Sequence, residues 1–222
     1  MVMSRLMEAA ESLFAKQGYA GTSLQELADE VGLSRTGIYH YVAGKEEMLA
    51  ALVRGFTVET ADDIRRLAAS TEASAYERLR EAVINSAERV AIHPQRFRLL
   101  LTSEGAFPEA LSAQYLKARR DTLHALTDLV SQSISEGACR PVDPELAAFS
   151  LLGTSNWVAF WYPRKDGLGS KSPREVAEYL ADIALGGLLD DRKMVDGGQG
   201  VPHVLGLLRD DLNRLEHMLD NA

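Results

Sequence analysis

The sequence predicts an all-α protein, and three observations lead there. Apolar residues recur at helical spacing from one segment to the next, and no strand candidate of note appears. Helix starts and stops are marked by side chains that cap: Ser23 with Glu26, Ser172 with Glu175, and glycines at 32 and 137. Finally, residues 22–45, TSLQELADEVGLSRTGIYHYVAGK, read as two short helices joined by a tight turn.

In order along the chain, residues 4–16 form a first helix. Leu6, Ala9, Ala10, Leu13 and Phe14 make its apolar face, Gly18 stops it, and Tyr19 in the connector is core. Thr22 and Ser23 cap a second helix with Leu27, Ala28 and Val31 on one side. Gly32 ends it, because a residue without Cβ enters the left-handed conformation cheaply. Ser34 caps a third helix, where Ile38 and Val42 point one way and Arg35, Thr36, Tyr39 and His40 occupy other faces. This is a helix-turn-helix pattern, whose second helix enters a major groove.

Residues 45–69 are a single long helix lined by Met48, Leu49, Leu52, Val53, Phe56 and Ile64. About 25 residues at 1.5 Å each span roughly 37 Å. That length joins the first three helices rigidly to the rest, so no flexible linker separates them. Helices follow over 76–92 (ended by His93-Pro94), 95–103 and 108–136, with Pro108 at the first helical position and Gly137 closing the last. An eighth helix opens at Asp143-Pro144 and is rich in apolar and aromatic residues. A polar, Gly-containing loop then leads to a ninth helix that starts at the Ser172/Glu175 box. Residues 190–200 read as a connector, and 202–219 as an extra amphipathic helix, in the first place a cover for its own subunit and otherwise an arm that packs on a partner. The expected division is 1–46 for the helix-turn-helix unit, 47–189 for the helical bundle, and 190–222 for the connector and extra helix.

Composition narrows the function. The 222 residues carry a net charge of −8, are 46% hydrophobic and include a single cysteine, Cys139. No run is long and apolar enough to span a membrane, and Glu8 and Glu11 interrupt the N-terminal segment, so a cytoplasmic protein without a signal peptide is expected. None of the five histidines pairs at i, i+4 in a metal motif, and there is no G-x-S-x-G or Gly-rich phosphate loop. Neither an enzyme nor a cofactor is expected. The acidic balance is unusual for a DNA binder, since a basic footprint is the rule. Phosphates are also met by hydroxyls, backbone N–H groups and helix N-termini, so a few placed contacts suffice for specific binding.

The residues Gly32-Leu33-Ser34, Ile38-Tyr39-His40-Tyr41-Val42 and Lys45-Glu46-Glu47-Met48-Leu49 resemble the TetR family of transcriptional regulators. Val42 departs from the family's usual aromatic and Gly44 from its usual Ser or Asn, both at packing or capping positions. The resemblance implies a homodimeric repressor that a small molecule releases from a pseudopalindromic DNA operator. It assigns DNA binding to 1–46 and ligand binding and dimerisation to 47–189. It implies DNA contacts from Thr22, Ser23, Ser34, Arg35, Thr36, Gly37, Tyr39, His40, Tyr41 and Lys45, the alternative for Tyr41 being a partly core place. Lys45 opposes the helix dipole where it stands, which suggests a phosphate partner rather than a stabilising role.

Effector candidates are Phe97, Leu101, Glu104, Phe107, Tyr115, Arg119, Asn156, Trp157, Phe160 and Trp161. Arg119 and Arg120 stand about 100° apart on a helix, so they are not both expected to face inward. Residues 156–163 resemble a branch of the family tied to fatty-acid and sterol catabolism, whose effectors include acyl-CoA thioesters. With Arg119, Arg164 and Lys165 available for phosphates, a thioester is favoured over a cationic drug, for which Glu104 is the obvious carboxylate. Dimerisation is expected through the eighth and ninth helices, where Ala181, Ala184, Gly186 and Gly187 sit beside Tyr179 and Ile183.

Overall fold

The computed structural model describes residues 2–162, 171–189 and 209, and among them no strand is found. Helix α1 covers Val2–Gly21 and breaks its helical geometry at Gly18, whose φ of 79° suits a residue without Cβ. Helix α2 (Leu24–Val31) starts at the Ser23/Glu26 capping box and ends at Gly32 with φ 75°. Helix α3 (Arg35–Ile38) is shorter than the sequence suggests. After it, His40 and Tyr41 donate backbone bonds three residues back, to Gly37 and Ile38, so the chain tightens into turns before Val42.

Helix α4 is the expected long one with an internal surprise. It is α-helical over Lys45–Val53, makes a π turn over Arg54–Val58, and is α-helical again over Glu59–Ala69. Helix α5 (Ala75–Ile92) begins at a second capping box, Ser74 with Glu77. Helices α6 (Pro94–Ser103), α7 (Glu109–Ser135), α8 (Pro144–Trp161) and α9 (Pro173–Gly186) follow. Pro108 is the N-cap of α7 rather than its first residue, with an extended ψ of 145°. Residues 163–170, which include Arg164 and Lys165, and the 202–219 segment lie outside the described residues apart from Arg209.

The second half of α4 packs on α7, and α5 packs on α7, α8 and α9. Helix α1 packs on α2, on the first half of α4 and on α6. One continuous core runs from Leu6, Phe14, Leu27 and Ile38 through Met48 and Leu52 to Leu79, Leu100, Leu126 and Leu151. The α1–α6 contact carries a nearly buried ion pair. Arg96 donates from Nε and Nη2 to one oxygen of Glu11 at 2.9 and 2.7 Å, and the two side chains are 19% and 15% exposed. Helix α4 is therefore not the sole rigid link to the first three helices, because α6 grips α1 directly. Among the described residues no helix is long and apolar enough to cross a membrane.

Candidate functional site

The helix-turn-helix presents a short exposed surface. Ser34 caps α3 by accepting from the Gly37 N–H at 3.0 Å, and its hydroxyl meets that of Thr36 at 3.2 Å. A Cβ at Gly37 would stand 3.0 Å from the Ser34 hydroxyl, so glycine there preserves the cap. Arg35 is exposed and makes no ion pair among the described residues, which leaves its guanidinium available. Tyr39 and His40 are exposed beside it, and so is Tyr41 at 39%, rather than buried in the core. Ser23 is exposed at the start of α2, its side chain engaged with Glu26.

Two residues of the expected DNA-binding set turn inward. Thr22 is 1% exposed and its hydroxyl donates to the Gly18 carbonyl at 2.9 Å, so its side chain is spent within the fold. Lys45 reaches back across the unit. Its Nζ donates to the carbonyls of Tyr19 and Thr22, each at 2.9 Å, and of Ala20 at 3.4 Å, while lying 4.6 Å from the centre of the Tyr19 ring. These carbonyls stand in the last residues of α1 and just after it, where few backbone N–H donors remain to meet them. Lys45 thus has partners within the fold, which gives its placement a stabilising explanation beside the phosphate expected for it. Burial and Glu46 raise the Tyr19 hydroxyl pKa, so the group that Lys45 covers stays neutral.

Behind this unit lies a cavity of about 540 Å³ bounded by α4, α5, α6, α7 and α8. Apolar side chains dominate its wall: Phe56, Val90, Phe97, Leu100, Leu101, Leu116, Leu123, Phe149 and Leu152. Thr57, Thr60, Ser86, Thr122 and Asn156 supply neutral polar groups, and Tyr115 a phenol. Three arginines, Arg89, Arg119 and Arg120, complete the wall, and no Asp or Glu is among its lining residues. Arg119 donates to Glu104 at 2.9 Å and lies 5.5 Å from the Tyr115 ring centre. Arg120 makes no ion pair among the described residues.

The expected effector residues divide. Phe97, Leu101, Tyr115, Arg119 and Asn156 line the cavity. Glu104 stands outside the wall as the partner of Arg119, and Phe107 is buried edge-on against Tyr115, with ring centres 5.4 Å apart. Trp157 and Phe160 do not line it; they stack on each other at 5.0 Å on the outward face of α8, and Trp157 is 63% exposed. Trp161 is half-buried next to Tyr162 instead. Arg119 and Arg120 both line the cavity, although they are exposed and about 100° apart on α7, because long side chains on either flank of an inward-facing row can reach it. The wall residues missed include all those of α4 and α5, Phe56, Thr57, Thr60, Ser86, Arg89 and Val90, whose one signal is the apolar face of α4 at Phe56, and on α6, α7 and α8 Leu100, Leu116, Arg120, Thr122, Leu123, Phe149, Leu152 and Gly153.

Comparison with known proteins agrees with this layout. The family model described as bacterial regulatory proteins, tetR family, matches residues 6–52. A model described as tetracyclin repressor-like, C-terminal domain, matches residues 72–188. The HTH-type transcriptional repressor KstR2 of Mycobacterium tuberculosis is 28% identical over 186 residues, covering 82% of this chain and 90% of that protein. The structure of KstR2, a ketosteroid transcriptional regulator of Mycobacterium tuberculosis, superposes with a TM-score of 0.75 at 26% identity, over 86% of this chain and 96% of its own. The structure of AibR with isovaleryl coenzyme A and operator DNA superposes with a TM-score of 0.64 at 24% identity, over 82% and 97% of the two chains, a likeness of fold.

Proposed function

The chain belongs to the TetR family of transcriptional regulators, and from that premise we propose that it is a repressor released from a pseudopalindromic operator by an amphipathic, anionic effector, an acyl-CoA thioester in the first place. The observation that carries this reading is the cavity wall: apolar over most of its area, with three arginines and no carboxylate. An apolar cavity with a few placed polar groups is the usual form of a ligand site. A lipophilic cation would leave its charge unpaired there, whereas an acyl chain has apolar surroundings and phosphates have Arg119 and Arg120 at the mouth. AibR, of the same fold, is described with an acyl-CoA and operator DNA together, which supports the class.

On the DNA side, Arg35 and Thr36 at the start of α3 read base edges while Tyr39, His40 and Tyr41 meet phosphates. The effector acts only by its differential affinity for the two arrangements of the protein. The cavity supplies the connection, because Phe56, Thr57 and Thr60 in its wall belong to the same α4 whose first residue, Lys45, ties down the helix-turn-helix.

The test is a titration of a preformed operator complex with acyl-CoAs of several chain lengths, the matching free acids and lipophilic cations. Release by an acyl-CoA and not by its free acid is expected, and Arg119→Ala and Arg120→Ala should each weaken it. Release by the cations alone would overturn the reading.

A further inference from the structure

How the cavity reports its occupancy is written in the π turn of α4, and this inference rests on the effector reading above. Among the described residues α4 alone carries a π turn, where the Glu59 N–H bonds to Arg54 five residues back. Such turns shift the hydrogen-bond ladder and are places where a helix bends. The turn stands where the contacts of α4 change: its first half packs chiefly on α1 and only slightly on α7, the turn itself on α7, and its second half on α7 and α5. It is therefore placed as a joint between the helix-turn-helix and the bundle.

Two carbonyls of the π turn are held from the side, both by residues of the cavity wall. Arg89 Nη1 on α5 donates to the Gly55 carbonyl at 3.2 Å, and the Thr60 hydroxyl donates to the Phe56 carbonyl. Arg89 Nη2 donates at the same time to Asp63 at 2.6 Å, and Nη1 lies 3.7 Å from Glu59. Gly55, Glu59 and Asp63 follow at i, i+4 and i+8, so one guanidinium staples the turn to the stretch after it.

We propose that Arg89 is the latch of this joint: the anionic group of an effector draws its guanidinium off the Gly55 carbonyl, and the two halves of α4 change their angle. An anion is a stronger acceptor for a guanidinium than a neutral carbonyl is, and more so in an apolar cavity. Asp63 and Glu59 keep the arginine near the turn, so the exchange needs only a partial swing of the side chain. Differential affinity arises because the anion is satisfied by Arg89 only when the carbonyl has let go.

The experiment uses the full-length protein with Arg89→Lys, which keeps a charge for Asp63 but loses the fork that reaches two acceptors. Hydrogen exchange at residues 54–59 is followed without ligand and with octanoyl-CoA, together with affinity for a duplex enriched by binding selection. In the wild type, octanoyl-CoA should speed exchange at the turn and weaken operator binding by roughly 10- to 100-fold, within the range usual for coupled sites. Arg89→Lys should exchange there at least about tenfold faster without ligand and show coupling close to one. Thr60→Val should move both readouts the same way by less, and it stands in if Arg89→Lys does not fold. Unchanged exchange and unchanged coupling in the variants would overturn the latch. If octanoyl-CoA does not bind the wild type, the effector reading falls, and the ligand-free exchange alone decides the latch.

Discussion

At the scale of single residues, Lys45 and Arg35 separate two uses of a positive charge that a sequence presents alike. Lys45 stands at a helix start, where a cation is unfavourable. Its ammonium offsets this by bonding three carbonyls at the end of α1 and just after it, and hydrogen bonds to a charged group are worth about 1.5–3 kcal/mol each before solvent exposure reduces them. Lys45→Met should lower the thermal midpoint and weaken operator binding, while the slope of log affinity against log salt stays that of the wild type. A phosphate contact would instead reduce that slope by about one. Arg35→Ala should leave the thermal midpoint unchanged, cost about 1–3 kcal/mol of operator affinity and relax a single base position in a binding selection. Sequence reading located both residues and assigned Arg35 from its place at the start of α3. It could not assign Lys45, because the carbonyls that hold it lie 23 to 26 residues earlier in the chain. Thr22 failed for the same reason: a hydroxyl beside an N-cap gives no sign that it points at the Gly18 carbonyl.

At the scale of elements, what was legible is what local chemistry decides. The boxes at Ser23/Glu26 and Ser172/Glu175, the Gly32 stop and the Asp143 cap all appear where their side chains place them. The π turn was invisible, since Arg54-Gly55-Phe56-Thr57-Val58 continues an ordinary apolar period and the shift of ladder comes from packing. The caps have a consequence in acid. Hydrogen bonds from Ser74 hold the Glu77 carboxyl below its ordinary value of 4.5, and those from Ser23 and Ser172 do the same for Glu26 and Glu175. A group whose pKa is lower folded than unfolded stabilises above its unfolded value and loses that contribution as pH falls through the folded one. The urea midpoint should therefore decline below about pH 5, beyond a loss that starts nearer neutrality because burial holds the His93 imidazole below its ordinary value. Glu77→Gln should make that decline shallower, and an identical acid limb in the variant would show that the α5 cap takes no part in it.

At the scale of the whole molecule, α8 is the element that a sequence describes least well. It is apolar nearly all round, and a helix of that kind is buried on every side. One side, with Ala148, Leu151, Ser155 and Val158, meets the core. The other, Leu146, Phe149, Trp157 and Phe160, faces outward, and Tyr179 and Ile183 of α9 are exposed too; these six are 39–67% exposed. Trp157 was assigned to the effector because periodicity gives an apolar stripe without saying which stripe looks inward. Exposed apolar groups of this size mark an interaction surface, and the proposed occupant is a second copy, α8 and α9 of each subunit forming a four-helix contact. Ala181 is fully buried in its own subunit, so the small residues expected at the contact do not all serve it. Ile183→Arg is the sharper variant, since it places an unpaired charge in the apolar patch and disturbs no core group. In sedimentation at micromolar concentration the wild type should be a dimer and Ile183→Arg a monomer with unchanged helix content. Operator affinity should then fall with the dimer, because one recognition helix supplies only half of the base contacts, and binding should rise with the square of protein concentration. A wild type that sediments as a monomer, or an Ile183→Arg variant that stays dimeric, would refute the arrangement. Phe149 belongs to both the outward face and the cavity wall, and Gly153 and Asn156 line the cavity from the same helix. A contact made there fixes one wall of the cavity, so Ile183→Arg should also weaken binding of octanoyl-CoA in the absence of DNA.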